Sequence, residues 1–150
     1  MRELKKGIDY TGINVTFCCH DGEENFLFAK RSDQCRDEQG TWDCGGGSVD
    51  FGDSIEGTLV KEIMEEYCTD VISYDYLGFR DVFRTLPNGT KTHWLAIDFK
   101  VRVDRSRVRN GEPHKATEIG WFTLDNLPRP NHSQWPNFLR LYESRLRSNP

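Results

Sequence analysis

The stretch from Gly46 to Thr69 restricts the chain more than any other. A glycine-rich turn, Gly46-Gly47-Ser48-Val49-Asp50-Phe51-Gly52-Asp53, feeds a segment with helical periodicity from about Ser54 to Tyr67. At about 100° per residue, Glu62, Glu65 and Glu66 fall in one arc of roughly 100°. Leu59, Val60, Ile63, Met64 and Tyr67 take the adjoining arc, so the spacing predicts a buried side next to an acidic one. Asp53, followed three positions on by Glu56, has capping-box spacing and is the expected N-cap. Gly57 weakens the helix by roughly 1 kcal/mol relative to Ala.

The acidic side costs stability. Glu62 stands i,i+3 to Glu65 and i,i+4 to Glu66, and each such like-charge pair disfavours a helix by roughly 0.2–0.5 kcal/mol. Lys61, four residues before Glu65, offsets one pair. A solvated acidic face is one account of the arrangement. Hard divalent cations among the carboxylates are the other, since Mg²⁺ takes oxygen ligands and shares them with substrate phosphates.

These residues resemble the Nudix box, G-x5-E-x7-R-E-U-x-E-E-x-G-U with U aliphatic. The line-up is Gly47, five residues, Asp53, seven residues, then Lys61-Glu62-Ile63-Met64-Glu65-Glu66-Tyr67-Cys68-Thr69. Both gaps match, as do the glycine, Glu62 and the Glu65-Glu66 pair. Asp53 replaces Glu, Lys61 replaces Arg, Cys68 replaces the late Gly, and Thr69 replaces an aliphatic residue. The resemblance implies an α/β fold, a Nudix-type α/β/α sandwich with a mixed central β-sheet.

The rest of the chain narrows the class. Its 150 residues suit one domain, 1–150. The net charge of −4 argues against a protein that binds polymeric nucleic acid. No run approaches the roughly 18–20 apolar residues of a membrane span, and no apolar core follows Met1-Arg2-Glu3-Leu4-Lys5-Lys6, so neither membrane nor signal peptide is expected. Cys18, Cys19, Cys35, Cys44 and Cys68 are odd in number without CxxC spacing, which favours reduced thiols in a cytoplasm. Cys44 reads as a small buried residue rather than a reactive thiol.

Taken in order, Ile13 to Cys19 and Phe26 to Lys30 read as strands of a hairpin-like pair, and Ser32 to Gly40 as a loop. Val71 to Arg84 and Thr92 to Val103 read as long strands joined through Asn88-Gly89, a hairpin signal. Arg105 to Lys115 reads as a loop, and Glu118 to Phe122 as a short strand. A terminal helix opens near Ser133, with Pro136 in its first turn and Phe138, Leu141, Tyr142 and Leu146 as its core stripe.

The resemblance implies a Mg²⁺-dependent hydrolase, with Mn²⁺ as the substitute ion, acting on the pyrophosphate bond of a small nucleotide. On matching positions it makes Glu65 and Glu66 metal ligands, Glu62 a further ligand or the base that activates water, and the Gly46 carbonyl a ligand. Gly47 lies where substrate approaches. Lys61 stands where an Arg orients the helix glutamates, without the bidentate fork. A further acid from outside the box is expected at Glu118, with Glu112 as competitor. The run from Leu127 to Phe138 looks like that of MutT-type enzymes, which makes Asn131 a reader of the base and Trp135 or Trp94 an aromatic packed on it. The expected reaction converts a nucleoside triphosphate to monophosphate and pyrophosphate. Hydrolysis of nucleoside diphosphates linked to another moiety, such as ADP-ribose, and a non-catalytic nucleotide sensor are the alternatives. A monomer or a homodimer is expected.

Overall fold

Asn88-Gly89 turns the two longest strands onto one another. In the computed structural model, which describes residues 2–148, β5 (Val71–Thr85) pairs antiparallel with β6 (Lys91–Val103), from Val71 opposite Val103 to Thr85 opposite Lys91. Gly89 takes the positive φ that the turn demands, +86°.

β6 then runs parallel to β1 (Gly12–His20), from Gly12 opposite Trp94 to His20 opposite Arg102. The remaining strands are β2 (Phe26–Arg31), β3 (Trp42–Asp43), β4 (Gly46–Ser48) and β7 (Ala116–Phe122). The mixed sheet has the order β3-β2-β1-β6-β5, with β4 added on β1 and β7 on β2. The expected hairpin of β1 and β2 forms only at its base, where His20 faces Phe26. Beyond that point the strands part, and β4 occupies the β1 edge at Asn14 to Thr16. The fork opens the cavity described below.

One helix covers each face. α1 (Ile55–Tyr67) buries Leu59, Ile63 and Tyr67 against Val15, Phe17 and Cys19 of β1 and Phe99, Val101 and Val103 of β6. α2 (Trp135–Arg147) buries Trp135, Phe138, Tyr142 and Leu146 against Cys18, Phe26, Phe28 and Trp42. Each buried Leu, Ile or Phe contributes about 1.5–3 kcal/mol. The period-2 alternation of β1 sends its odd residues to α1 and Cys18 to α2, which makes the α/β/α arrangement.

Three details depart from the sequence reading. The N-cap of α1 is Ser54, whose hydroxyl accepts from the Gly57 amide at 2.9 Å; Asp53 is exposed, one residue too early. Val60 and Met64 are exposed, because the sheet covers a narrower arc of α1 than the apolar residues span. In α2, Leu141 is exposed and Trp135 takes its place in the core stripe.

Candidate functional site

Gly47 and Glu62 meet where β4 passes over α1. A β-carbon built on Gly47 would come within 2.6 Å of Glu62 Oε2, so only glycine leaves room for that carboxylate. β4 offers a second feature. The Phe17 amide donates to the Gly45 carbonyl and the Val49 amide to the Ile13 carbonyl. By the alternation of an antiparallel ladder, Gly46 opposite Thr16 is then a non-hydrogen-bonded position, and its carbonyl faces away from β1.

Glu66 lies one turn further along α1. Its Oε2 is buried without a hydrogen-bond partner. Burial first, then the charges of Glu112, Glu62 and Asp43, push its acid well above the usual carboxylate range. Glu62 is raised by burial first and by Glu65 next, with Glu112 also contributing.

Glu112 arrives from far along the chain. The segment Arg109 to Glu112 docks on the end of α1: the Arg109 amide donates to the Tyr67 carbonyl at 3.0 Å and the Gly111 amide to the Glu66 carbonyl at 2.9 Å. Gly111 lies so close to the Glu65 carbonyl that no side chain fits there. Asn110 braces the loop through the Ala116 carbonyl at 2.7 Å and the Glu112 amide at 3.1 Å. Lys115 pairs with Glu112 at 3.5 Å.

These groups line one end of a cavity of about 740 Å³, within the size range of small-molecule sites. Gly46, Gly47, Glu62, Glu66, Glu112 and Lys115 surround the acidic end; Asn14, Arg31, Arg80, Arg84, Thr92 and Trp94 line the rest. Among the described residues, no group of three or more His, Cys, Asp or Glu side chains is already arranged to hold a metal ion. The donor set fits one nonetheless. Mg²⁺ keeps several waters and takes one or two carboxylates plus substrate phosphates, and the unpartnered Glu66 oxygen beside other carboxylates is the charge such an ion neutralises.

The NUDIX domain profile matches residues 11–142. The chain belongs to the Nudix family. It is a Nudix hydrolase, a family that acts on pyrophosphate bonds of nucleoside diphosphate derivatives and generally uses a divalent metal. Its fold is similar to that of a MutT NUDIX hydrolase from Burkholderia pseudomallei, with TM-score 0.76, 26% identity, and coverage of 88% of this chain and 98% of that one. A MutT protein from Methanosarcina mazei Go1 matches with TM-score 0.73 and 22% identity over 97% of this chain and 100% of that one. The NUDIX domain of Shewanella oneidensis NrtR, solved with ADP ribose, matches in fold with TM-score 0.69 and 15% identity, covering 91% and 89%.

Within this Nudix hydrolase, Gly46, Gly47, Glu62 and Glu66 line the cavity together. Glu65 is exposed on the next helical position, outside the lining residues. Lys61 is also exposed; its positive charge favours the ionised form of Glu62, against the burial that raises it. Glu118 is exposed on β7, opposite Lys30 and outside the lining residues, while its competitor Glu112 lines the cavity. Asn131 spends its side-chain amide on the Pro128 carbonyl at 3.0 Å. Trp135 is a core residue, its ring 4.9 Å from that of Phe28 and 5.3 Å from that of Phe138. Neither lines the cavity, whereas Trp94 does.

The departures from the Nudix box gain a physical account. Cys68 is the C-cap of α1 in the left-handed region, φ 60° and ψ 26°, the conformation in which the usual glycine carries no steric penalty. Thr69 is buried as the usual aliphatic residue would be. Cys44 is buried, and desolvation pushes its thiol well above the ordinary range.

The sequence reading missed Arg80, Thr92 and Asn14. Their signal was present in the alternation of the strands: Asn14, Arg80 and Thr92 share a sheet face with Trp94 and Ala96.

Proposed function

We propose that this Nudix hydrolase is a Mg²⁺-dependent pyrophosphohydrolase that converts nucleoside triphosphates and water to nucleoside monophosphates and pyrophosphate. The observation that carries the reading is the convergence of Glu62, Glu66 and Glu112 beside Gly46 and Gly47 at one end of the cavity. The run from Leu127 to Phe138, which resembles that of MutT-type triphosphate hydrolases, favours the triphosphate over other nucleotides.

Glu66, Glu112 and the Gly46 carbonyl would hold the ions, with Glu65 at the margin. Bound there, divalent ions neutralise phosphoryl charge and lower the pKa of an attacking water. The chain's own work is placement. Gly47 leaves the space that Glu62 occupies, and Gly46 turns its carbonyl away from β1. Glu62, pressed against Gly47, takes the proton from water, a task suited to a carboxylate whose pKa is raised. Lys115, beside Glu112, adds a positive charge toward the phosphates.

A panel of nucleoside triphosphates, ADP-ribose and nucleotide sugars with Mg²⁺, scored for pyrophosphate and monophosphate release, tests the reading. Triphosphate turnover with pyrophosphate as product is expected. Turnover confined to ADP-ribose or nucleotide sugars overturns the substrate class, and no turnover of any nucleotide overturns the reaction. Glu62→Gln is expected to lower kcat by about 10²-fold or more with little change in KM.

A further inference from the structure

The cavity has a second end whose polar groups are not used by the chemistry above. Asn14, Ala96 and Arg80 stand in one row across β1, β6 and β5, and Trp94 pairs with Val82 in the next. Ala96, Val82 and Trp94 give this floor an apolar surface on which a flat ring can lie. Arg80 is the polar group set into it.

Arg80 is held by the Asp98 carboxylate and the Phe138 ring. Its Nε donates to Asp98 Oδ2 at 2.7 Å and its Nη2 to Asp98 Oδ1 at 2.9 Å. Tyr142 donates its hydroxyl to the same Asp98 at 2.8 Å, and the guanidinium lies 5.2 Å from the centre of the Phe138 ring. Asp98 is fully buried and Arg80 is 8% exposed. What remains is Nη1, buried without any hydrogen-bond partner, on a residue that lines the cavity. Thr92, paired with Arg84 one step along the strands, also keeps an unpartnered hydroxyl.

We propose that Arg80 is the specificity-determining residue of this site and selects nucleobases that carry a keto oxygen, rather than an amino group, at purine C6 or pyrimidine C4. The inference rests on the nucleoside triphosphate reading above. A guanidinium has donors and no acceptor, and it does not give up its proton. Its charge is already matched by Asp98, so the free edge suits a neutral acceptor rather than another phosphate. The Thr92 hydroxyl and the Asn14 amide, whose Oδ1 is also unpartnered, can each present a donor or an acceptor; of these three groups Arg80 has the fixed polarity. A keto oxygen, as in hypoxanthine, guanine or uracil, accepts from Nη1. An exocyclic amino group at that place sets donor against donor in a buried pocket, and a site built for one hydrogen-bond pattern rejects the analogue that leaves its buried groups unpaired.

Two substrate pairs differ at the one position concerned: ITP against ATP, and UTP against CTP. Measured with Mg²⁺, the keto member of a pair is expected to have a kcat/KM at least about tenfold higher, carried mainly by KM. Equal kcat/KM, within about twofold, for both pairs overturns the inference while leaving the pyrophosphohydrolase intact; that is the result if water alone satisfies Nη1. No turnover of any of the four overturns the inference, and the pyrophosphohydrolase reading falls with it if no other nucleotide is turned over either. In Arg80→Lys, one ammonium faces Asp98 and cannot also present a fork to the base, so the keto preference is expected to fall to within about twofold, with folding checked by thermal melting. A keto preference that survives in folded R80K removes the role from Arg80. Should R80K not fold, the wild-type pairs decide alone.

Discussion

Gly47 and Glu62 exclude any side chain larger than hydrogen between them: a β-carbon at position 47 would stand 2.3 Å from the Glu62 carboxyl carbon. The glycine is thus required for space. Gly47→Ala is expected to displace Glu62 and lower kcat/KM by about 10²-fold or more, since small misplacements of a reacting group are that costly. The melting temperature should move by only a few degrees, because Glu62 has a free end that can swing away. Retained activity in a folded G47A protein would show that Glu62 need not occupy this position.

Glu66 makes a prediction about the metal-free protein. Its folded pKa lies well above the ordinary value of about 4.3 because of burial and neighbouring carboxylates. The native state therefore binds the proton more tightly than the unfolded chain. The contribution is fully present at low pH and is lost as pH rises through the folded pKa. Metal-free melting temperatures should fall across that range, flatten in Glu66→Gln, and recover in the wild type when Mg²⁺ is added. A Mg²⁺-induced stabilisation as large in E66Q as in the wild type would remove Glu66 from the ligand set.

How far these relationships could be read beforehand depends on their range in sequence. The β5–β6 hairpin follows from the local Asn88-Gly89 turn, and Glu62 with Glu66 from the pitch of one helix. Glu112 follows from neither. It reaches α1 because Arg109 and Gly111 find the free carbonyls at the helix end, a meeting some 45 residues apart. The same limit explains Val60, Met64 and Leu141, which lie on apolar arcs whose neighbouring sheet does not extend over them. Trp135 looked available to a base, yet Phe28 and Phe138 close over it. Arg80 stands out in its strand only once its partner Asp98, on the neighbouring strand, is in place.

His20 titrates in the opposite sense. It is buried beside Lys100 and Arg102; desolvation first, then those charges, pull its pKa down to about 4. Its Nδ1 accepts from the Gly22 amide at 3.1 Å, which requires that nitrogen to be unprotonated. With an unfolded value near 6.5, the neutral ring contributes stability above about pH 6.5 that is lost as pH falls toward about 4. His20→Gln should lose this acid-side slope in urea midpoints measured from neutral pH downward. An unchanged slope would place the acid sensitivity elsewhere.

Cys68 holds φ 60° at the end of α1. The left-handed region costs a residue with a β-carbon about 1–2 kcal/mol, partly regained by the lower chain entropy of Cys when unfolded. Cys68→Gly is therefore expected to stabilise the protein by about 0.5–1 kcal/mol in denaturant unfolding. A loss of stability would mean that contacts of the sulfur near Gly111 outweigh the backbone strain.

The docking of Arg109 to Glu112 on α1 makes the order of synthesis matter. When the ribosome has released residues up to 104, the glycine turn, α1 and the strands β1 to β6 have all emerged. Yet the helix still ends in free carbonyls, and its glutamates lack their third partner. The acidic pocket is closed by a segment that arrives only after most of the sheet, so the site is completed late, with the strand β7 and the helix α2 still to follow.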